Sequence, residues 1–413
     1  MKIASQEFLK AIFTLKGNFA QGHVPTRKVF AGVEVAPFKN NAEASVSISG
    51  DFEHNWAFRA WPSEVRNLKG TNERANFPYI LRLLEEYAIP VTWATVGHLF
   101  LESCERGAGG VAHPNMPRPP VNGRFQGDWY THDPCTNFRE DPLWYAPDLI
   151  QDIIESNVPH EIATHSFSHI DFSPRYSNRE LVQREIEECI RVMEPFSLRP
   201  RSLVFPHNKT EYSYAKQLAD LNIIALRHRD KKVRLSYPER LEPGIYKIYE
   251  SMNLRSAGHY DYLDKVKIFV EEAAKRHAAY HIFFHPSDPA DLFEDEFRRI
   301  VKYLHEEREK RRIWVTTMGE LAAYCEARES INLQVTRTQN QMDVIIESSL
   351  NKAKFGDPEV SILIPDKIAP NKTLVETNGI LQELNRENLY VDDQKQQLLV
   401  NVTASSRMIR LLF

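Results

Sequence analysis

The stretch HEIATHSFSHIDFS, residues 160–173, starts as a short β-rich run and ends in a polar turn carrying His165 and His169. Working outward in both directions, similar runs recur: SVSIS (45–49), PVTWATVG (90–97), SLVFP (202–206), IIALRH (223–228), YKIYES (246–251), YHIFFHP (280–286) and IWVTTMG (313–319). Between them lie helical patterns such as FPYILRLLEEYAI, APDLIQDIIES, RELVQREIEECIRVM and DEFRRIVKYLHEER, whose apolar residues return with the period of an amphipathic helix. Repeated β-then-α order at this spacing predicts an α/β fold: a parallel sheet covered by helices and closed, or nearly closed, into a barrel. In such folds the chemistry sits on loops at the C-terminal ends of the strands.

Length and composition bound the rest. The chain has 413 residues with 42% hydrophobic content, enough for a full core and for more than one domain. The alternation divides it into an N-terminal extension (1–44), the barrel (45–329) and, where apolar and polar residues begin to alternate in INLQVTRTQ, QMDVIIES, EVSILIP, QQLLVNVT and RMIRLLF, a small antiparallel β domain (330–413). Carbohydrate binding, homo-oligomerisation and covering of the barrel are all open roles for that last segment. Lys+Arg 52 against Asp+Glu 56 gives a net charge of −4 without a long basic run, which argues against nucleic acid or an anionic membrane as the main partner. No window reaches the ~18 consecutive apolar residues of a transmembrane segment. Nor does the N-terminus read as a signal peptide, so a cytoplasmic location is expected. Cys104, Cys135, Cys189 and Cys325 are scattered without a C-x-x-C pair, which indicates neither disulfides nor a thiolate zinc site.

One connection is too long to be ordinary. From 100 to 145 the chain passes through Gly- and Pro-rich segments with little helical period, and a loop of that length in a compact domain is usually functional or disordered. Its aromatics Phe125, Trp129, Tyr130, Trp144 and Tyr145 favour an ordered lid. These rings either stack on substrate or pack on the barrel.

Candidate chemistry gathers at the strand ends. Residues four apart on a helical turn share a face, so His165 and His169 are positioned to reach one divalent metal, whereas His160, at the start of its strand, falls at the far end. SGDFE places Asp51 and Glu53 just past the first strand, where one carboxylate can bind a metal and its neighbour can take a proton from water. His285, after the run YHIFF, suits a general acid. Solvated surface acids and hydrogen-bonded structural histidines are the plain alternatives for these residues taken singly.

Taken in order, SGDFE, PVTWATVG, HEIATHSFSH, RPRSLVFPHN and IFFHPSD resemble the polysaccharide deacetylase family, the NodB-homology carbohydrate esterases, over roughly residues 45–328. The resemblance implies a distorted (β/α) barrel and a divalent metal, commonly zinc, held by Glu53, His165 and His169. It also implies Asp51 as catalytic base and His285 as general acid. Glu53 stands where the family more often has Asp. The arginine usual near the third motif has no obvious counterpart, Arg199 and Arg201 being the nearby candidates. Pro206, His207 and Asn208, with Trp129 and Tyr130 of the lid, are expected to contact substrate. The function implied is removal of an N-acetyl group from a sugar, an acetylated saccharide or lipid-linked glycan on the way to a bacterial surface polysaccharide. The competing readings are an amidohydrolase acting on a small cyclic amide or ureide and a non-catalytic glycan-binding relative.

Overall fold

The computed structural model describes residues 19–20, 22–120, 127–241, 244–255, 262–365, 370–392 and 397–413. Phe125 and residues 1–18 and 21 of the N-terminal extension lie outside these described residues. The central sheet is built from β1 (Ala44–Phe52), β2 (Thr92–Thr95), β3 (Glu161–Thr164), β4 (Ser202–Val204), β5 (Ala225–His228), β6 (Ile245–Tyr249), β7 (Ala279–Phe284) and β8 (Ile313–Thr316). Each overlaps one of the runs read from the sequence. The order is β6-β5-β4-β3-β2-β1-β7, with β8 also paired to β1, and every one of these pairings is parallel.

The sheet curls because β6 does not stop at its edge. After pairing with β5 the chain passes through Glu250 and Ser251 into Met252–Asn253, which pairs with β7. Backbone bonds from Glu250 N to His228 O and from Ser251 N to His281 O, both 2.9 Å, mark the switch. One bent strand thus bridges the two edges of the curl, giving the distorted half-barrel of the NodB type. The strands are buried along nearly their whole length, which is why they read as continuous apolar or small-residue runs. Gly50 marks the tightest point inside: a Cβ there would stand 2.8 Å from the Trp93 ring and 2.9 Å from Phe284.

Helices α1 (Ser63–Glu86), α2 (Pro147–Glu155) and α3 (Arg179–Met193) follow β1, β2 and β3. α3 opens on an Asn178 cap, whose side chain accepts from Leu181 N. α1 begins well before the apolar pattern of residues 77–89. Ahead of that pattern it buries Gly70, Glu73 and Asn76, of which Glu73 and Asn76 hold loops at the strand ends rather than fill the core.

Strands after Ile331 form two antiparallel layers. One has the order Ile331–Arg337, Gln341–Ser348, Met408–Leu412, Lys372–Thr377, Ile380–Glu383. The other joins Glu359–Pro365, Gln397–Thr403 and Leu389–Asp392 to Lys28–Phe30 and Val33–Val35 from the N-terminal side. Residues 28–35 are therefore part of that layer, through the register Ile362 to Val35 and Leu363 to Glu34. The apolar faces of both layers share one core with Met318, Leu321 and Tyr324 and with Tyr246 and Ile248 of β6. No helix among the described residues is long and apolar enough to cross a membrane.

Candidate active site

The C-terminal ends of the strands open on a cavity of about 640 Å³ lined by Asp51, Glu53, His169, His207, Asn208 and His285, with Trp56, Trp61, Trp129 and Tyr176 among its walls. Three of the carrying segments are fixed by side chains remote from the chemistry. Where β1 ends, the buried Glu73 carboxylate of α1 accepts from Glu53 N and His54 N, each at 2.9 Å, and so holds the turn that aims Glu53. Burial, reinforced by the charge of Glu53, pushes the Glu73 carboxyl well above its ordinary range. Asn76 donates to the carbonyls of Pro286 and Asp288, both at 2.8 Å, and so fixes the segment after His285.

The third segment is HSFSH, and here the helical expectation fails. The residues after β3 form no helix; Ser166 and His169 adopt left-handed backbone conformations, with φ of 61° and 55°, which non-glycine residues rarely occupy. The turn, and not an i to i+4 helical face, brings the two imidazoles together, their centroids 5.0 Å apart. Glu185 of α3 stabilises it by accepting from Ser168 N at 2.8 Å and Ser168 Oγ at 2.6 Å. Trp129 Nε1 donates to the same hydroxyl at 2.8 Å.

His165 donates from Nδ1 to the Val204 carbonyl at 2.7 Å. That bond leaves an unshared pair on Nε2, which faces Glu53 Oε1 at 2.9 Å. His169 Nε2 lies 3.2 Å from the same oxygen. Burial pulls the His169 imidazole down to about 3, so it stands neutral, the form that binds metals. A carboxylate oxygen facing two imidazole nitrogens, all buried, is a donor set without a cation of its own. It fits a divalent ion.

Asp51 has a different partner. Arg227, at the end of β5, grips it with Nη1 to Oδ1 at 2.5 Å and Nη2 to Oδ2 at 2.6 Å. The same guanidinium donates to Ser49 Oγ and Asn208 Oδ1, both at 3.0 Å, and sits 4.2 Å over the Phe283 ring. Despite full burial, Arg227 holds the Asp51 carboxyl below the ordinary carboxylate range. His285 Nε2 lies 3.6 Å from Asp51 Oδ2 and its ring is partly exposed to the cavity. The arginine beside Asp51 is Arg227; Arg201 instead donates to the Phe355 carbonyl at 2.8 Å, and Arg199 is exposed.

Of the expected substrate contacts, Trp129, His207 and Asn208 line the cavity, whereas Pro206 and Tyr130 do not. Tyr130 is fully buried, with its hydroxyl 3.4 Å from Glu185 Oε1, because the long loop packs its rings onto the barrel. His160 lies at the opposite end of β3, where its Nδ1 accepts from Val91 N at 3.1 Å. Trp61, 44% exposed at the cavity mouth, was not singled out by sequence pattern.

The curled parallel sheet that carries this centre has the form of the NodB-type distorted barrel. Residues 69–225 match the family model described as polysaccharide deacetylase. That segment contains His165, His169, His207 and Asn208, whereas Asp51, Glu53, Arg227 and His285 lie outside it. Among solved structures, a candidate polysaccharide deacetylase from Mycobacterium smegmatis aligns with a TM-score of 0.50 at 13% identity, over 77% of this chain and 99% of that one. This likeness shows the fold. A candidate polysaccharide deacetylase from Pseudomonas aeruginosa PAO1 and the Puue allantoinase each align at 13% identity with a TM-score of 0.46, over 70% of this chain and 92% of theirs. No curated protein matches the sequence at a significant level.

Proposed function

We infer that this chain is a metal-dependent hydrolase that removes an N-acetyl group from a sugar. The observation that carries the reading is the convergence of Glu53 Oε1 with His165 Nε2 and His169 Nε2 beside an Asp51 and His285 pair in one cavity. Glu53, His165 and His169 would hold the ion, with zinc the expected species. When bound, a divalent ion supplies Lewis acidity to an acetamide carbonyl and to a water.

The remaining steps belong to the chain's own side chains. Asp51, kept ionised by Arg227, accepts the proton of the attacking water. The Arg227 grip costs basicity but fixes the carboxylate, so that proton transfer needs no rearrangement. His285, 3.6 Å from Asp51 Oδ2 and open to the cavity, delivers a proton to the departing amine. Trp56 and Trp129 flank Arg59, whose guanidinium lies 4.8 Å and 4.3 Å from their rings, and this stack walls one side of the pocket. Exposed Lys209, Arg229 and Arg255 at the rim suit a phosphate-bearing carrier. This favours a lipid-linked or otherwise activated precursor of a surface polysaccharide, processed in the cytoplasm.

The test is acetate release from N-acetylated sugars and their diphosphate-linked forms. Activity is expected in the native chain and absent after chelation, with Asp51→Asn inactive but still holding the ion. Robust metal binding with no acetate released from any amide-bearing sugar would turn the reading toward a glycan-binding protein.

A further inference from the structure

A second group of ligand-type side chains lies outside the cavity, at the root of the long loop. His98 and Asp133 are buried, and Cys104 and His113 are partly so; all four offer atoms within 4.8 Å of one another. His98 Nε2 lies 3.2 Å from His113 Nε2 and 3.0 Å from Asp133 Oδ2. His113 Nε2 is 2.7 Å from that oxygen, and Cys104 Sγ is 3.5 Å from it.

Hydrogen bonds around the group fix its polarity. His98 Nδ1 donates to the Trp144 carbonyl at 3.2 Å, which leaves the lone pair of Nε2 pointed at a carboxylate oxygen. Asp133 Oδ1 is engaged by Cys135 N at 2.9 Å and the Tyr145 hydroxyl at 3.3 Å, so Oδ2 is the oxygen turned toward the imidazoles. Among the described residues, the ion-pair partners of Asp133 are those two histidines. A proton on His113 Nε2 satisfies one of these contacts and leaves the His98 lone pair facing Oδ2. A cation at the centre satisfies all of them. Ligand atoms around a tetrahedral zinc with bonds of about 2.0 to 2.3 Å lie roughly 3.3 to 3.7 Å apart, and this group needs only slight expansion to reach that spacing. The outer bonds to Trp144 O, Tyr145 and Cys135 N are those expected around first-row metal ligands.

We propose that His98, Cys104, His113 and Asp133 form a second, structural zinc site that staples the 100–145 loop to the end of β2. Four protein ligands leave no open position, so the site is closed to substrate. Its placement gives it a task. The His98 ring packs 4.3 Å from Trp56, a wall of the cavity, and 5.6 Å from Phe167 in the HSFSH turn. Asp133 follows Trp129 closely in the loop. The ion would hold the back of the pocket rigid without touching the reacting atoms.

The test uses the full chain and separates the two sites by sulfur. In His165→Ala, which disables the cavity site, zinc analysis after dialysis is expected to give close to one ion per chain. Adding His113→Asn and Cys104→Ser should bring it to none. Loaded with cobalt(II), the His165→Ala protein should show near-ultraviolet thiolate-to-cobalt absorption, since the cavity site contains no cysteine, and Cys104→Ser should abolish it. A His165→Ala protein that stays metal-free, or that binds cobalt without the thiolate band, overturns the proposal and leaves a metal-free histidine and aspartate network. If Cys104→Ser fails to fold, the cobalt spectrum of His165→Ala alone decides.

Discussion

Replacing Arg227 by methionine strips the fixed cation from a carboxylate that is almost wholly shielded from water. Asp51 and Arg227 side chains are only 4% and 2% exposed, so solvent screening gives little relief. Removing one partner of such a pair costs roughly 3–5 kcal/mol. His285 Nε2, 3.6 Å away, offers partial compensation, which places the expected loss near the lower end, about 3 kcal/mol. The sign of its pH dependence follows from the pKa directions. In the native chain Arg227 depresses the Asp51 pKa below its unfolded value; the pair therefore adds stability above the unfolded pKa, and that contribution is lost as pH falls through the folded one. In Arg227→Met, burial dominates and raises the Asp51 pKa. The penalty is then full at neutral pH and shrinks on acidification, because a protonated Asp51 is no longer a buried charge.

Urea unfolding in the presence of a chelator, so that metal binding does not mask the difference, reads this directly. The variant should lose about 3 kcal/mol near pH 7 and at least ~1 kcal/mol less near pH 5. Asp51→Asn combined with Arg227→Met should recover part of the loss, giving a coupling of ~1 kcal/mol or more. A loss below ~1 kcal/mol, or one that is the same at both pH values, would refute the reasoning that Arg227 serves chiefly to balance Asp51.

Two further outcomes follow from the cavity's supports. Trp61→Ala should leave folding unchanged, because the side chain is already 44% exposed, and should raise KM about tenfold with little change in kcat, the effect of losing a stacking surface of ~1.4 kcal/mol; steady-state kinetics on the identified sugar checks it. Glu185→Ala removes the carboxylate that accepts from Ser168 N and Oγ. It should weaken metal retention at the cavity about 10- to 100-fold in chelator competition and cost ~1–3 kcal/mol of stability.

What was legible in the sequence was whatever a local pattern encodes. Buried parallel strands read as apolar runs, and α3, with one apolar stripe and an Asn178 cap, was bounded correctly from residues 179–193. The start of α1 was not, because the face it buries is polar: Glu73 and Asn76 bind backbone at the strand ends, and a hydrophobic period cannot reveal that. His165 and His169 were found by spacing, but for a helical turn that does not form; the left-handed Ser166 and His169 are held by Glu185 and Trp129, contacts that no local pattern announces. Arg227 was missed because an arginine ending an apolar strand looks like any strand terminus until the barrel curls and sets it against Asp51. The grouping of His98, Cys104, His113 and Asp133 was invisible for the same reason, its members being spread through a loop without motif spacing. The recruitment of Val33–Val35 into the C-terminal layer depends on pairing with Ile362 and Leu363, far away in the chain.

The two cavity carboxylates carry similar burial but opposite electrostatic accounts, and that difference supports assigning them different work. Asp51 has its counter-charge built into the fold, in two short bonds from Arg227; a metal placed on it would face that guanidinium at close range and be repelled. Glu53 has no lysine or arginine among its ion-pair partners in the described residues; it meets His165 and His169, and burial keeps His169 neutral. A buried carboxylate beside neutral imidazoles is unbalanced by about one charge, and several kcal/mol of desolvation cost favours whatever cation can enter. This supports the proposed division, in which the carboxylate already balanced transfers the proton and the one left unbalanced would hold the ion. The order Asp-x-Glu in SGDFE does not by itself distinguish them; the position of Arg227 beside Asp51 is what favours the proposed assignment.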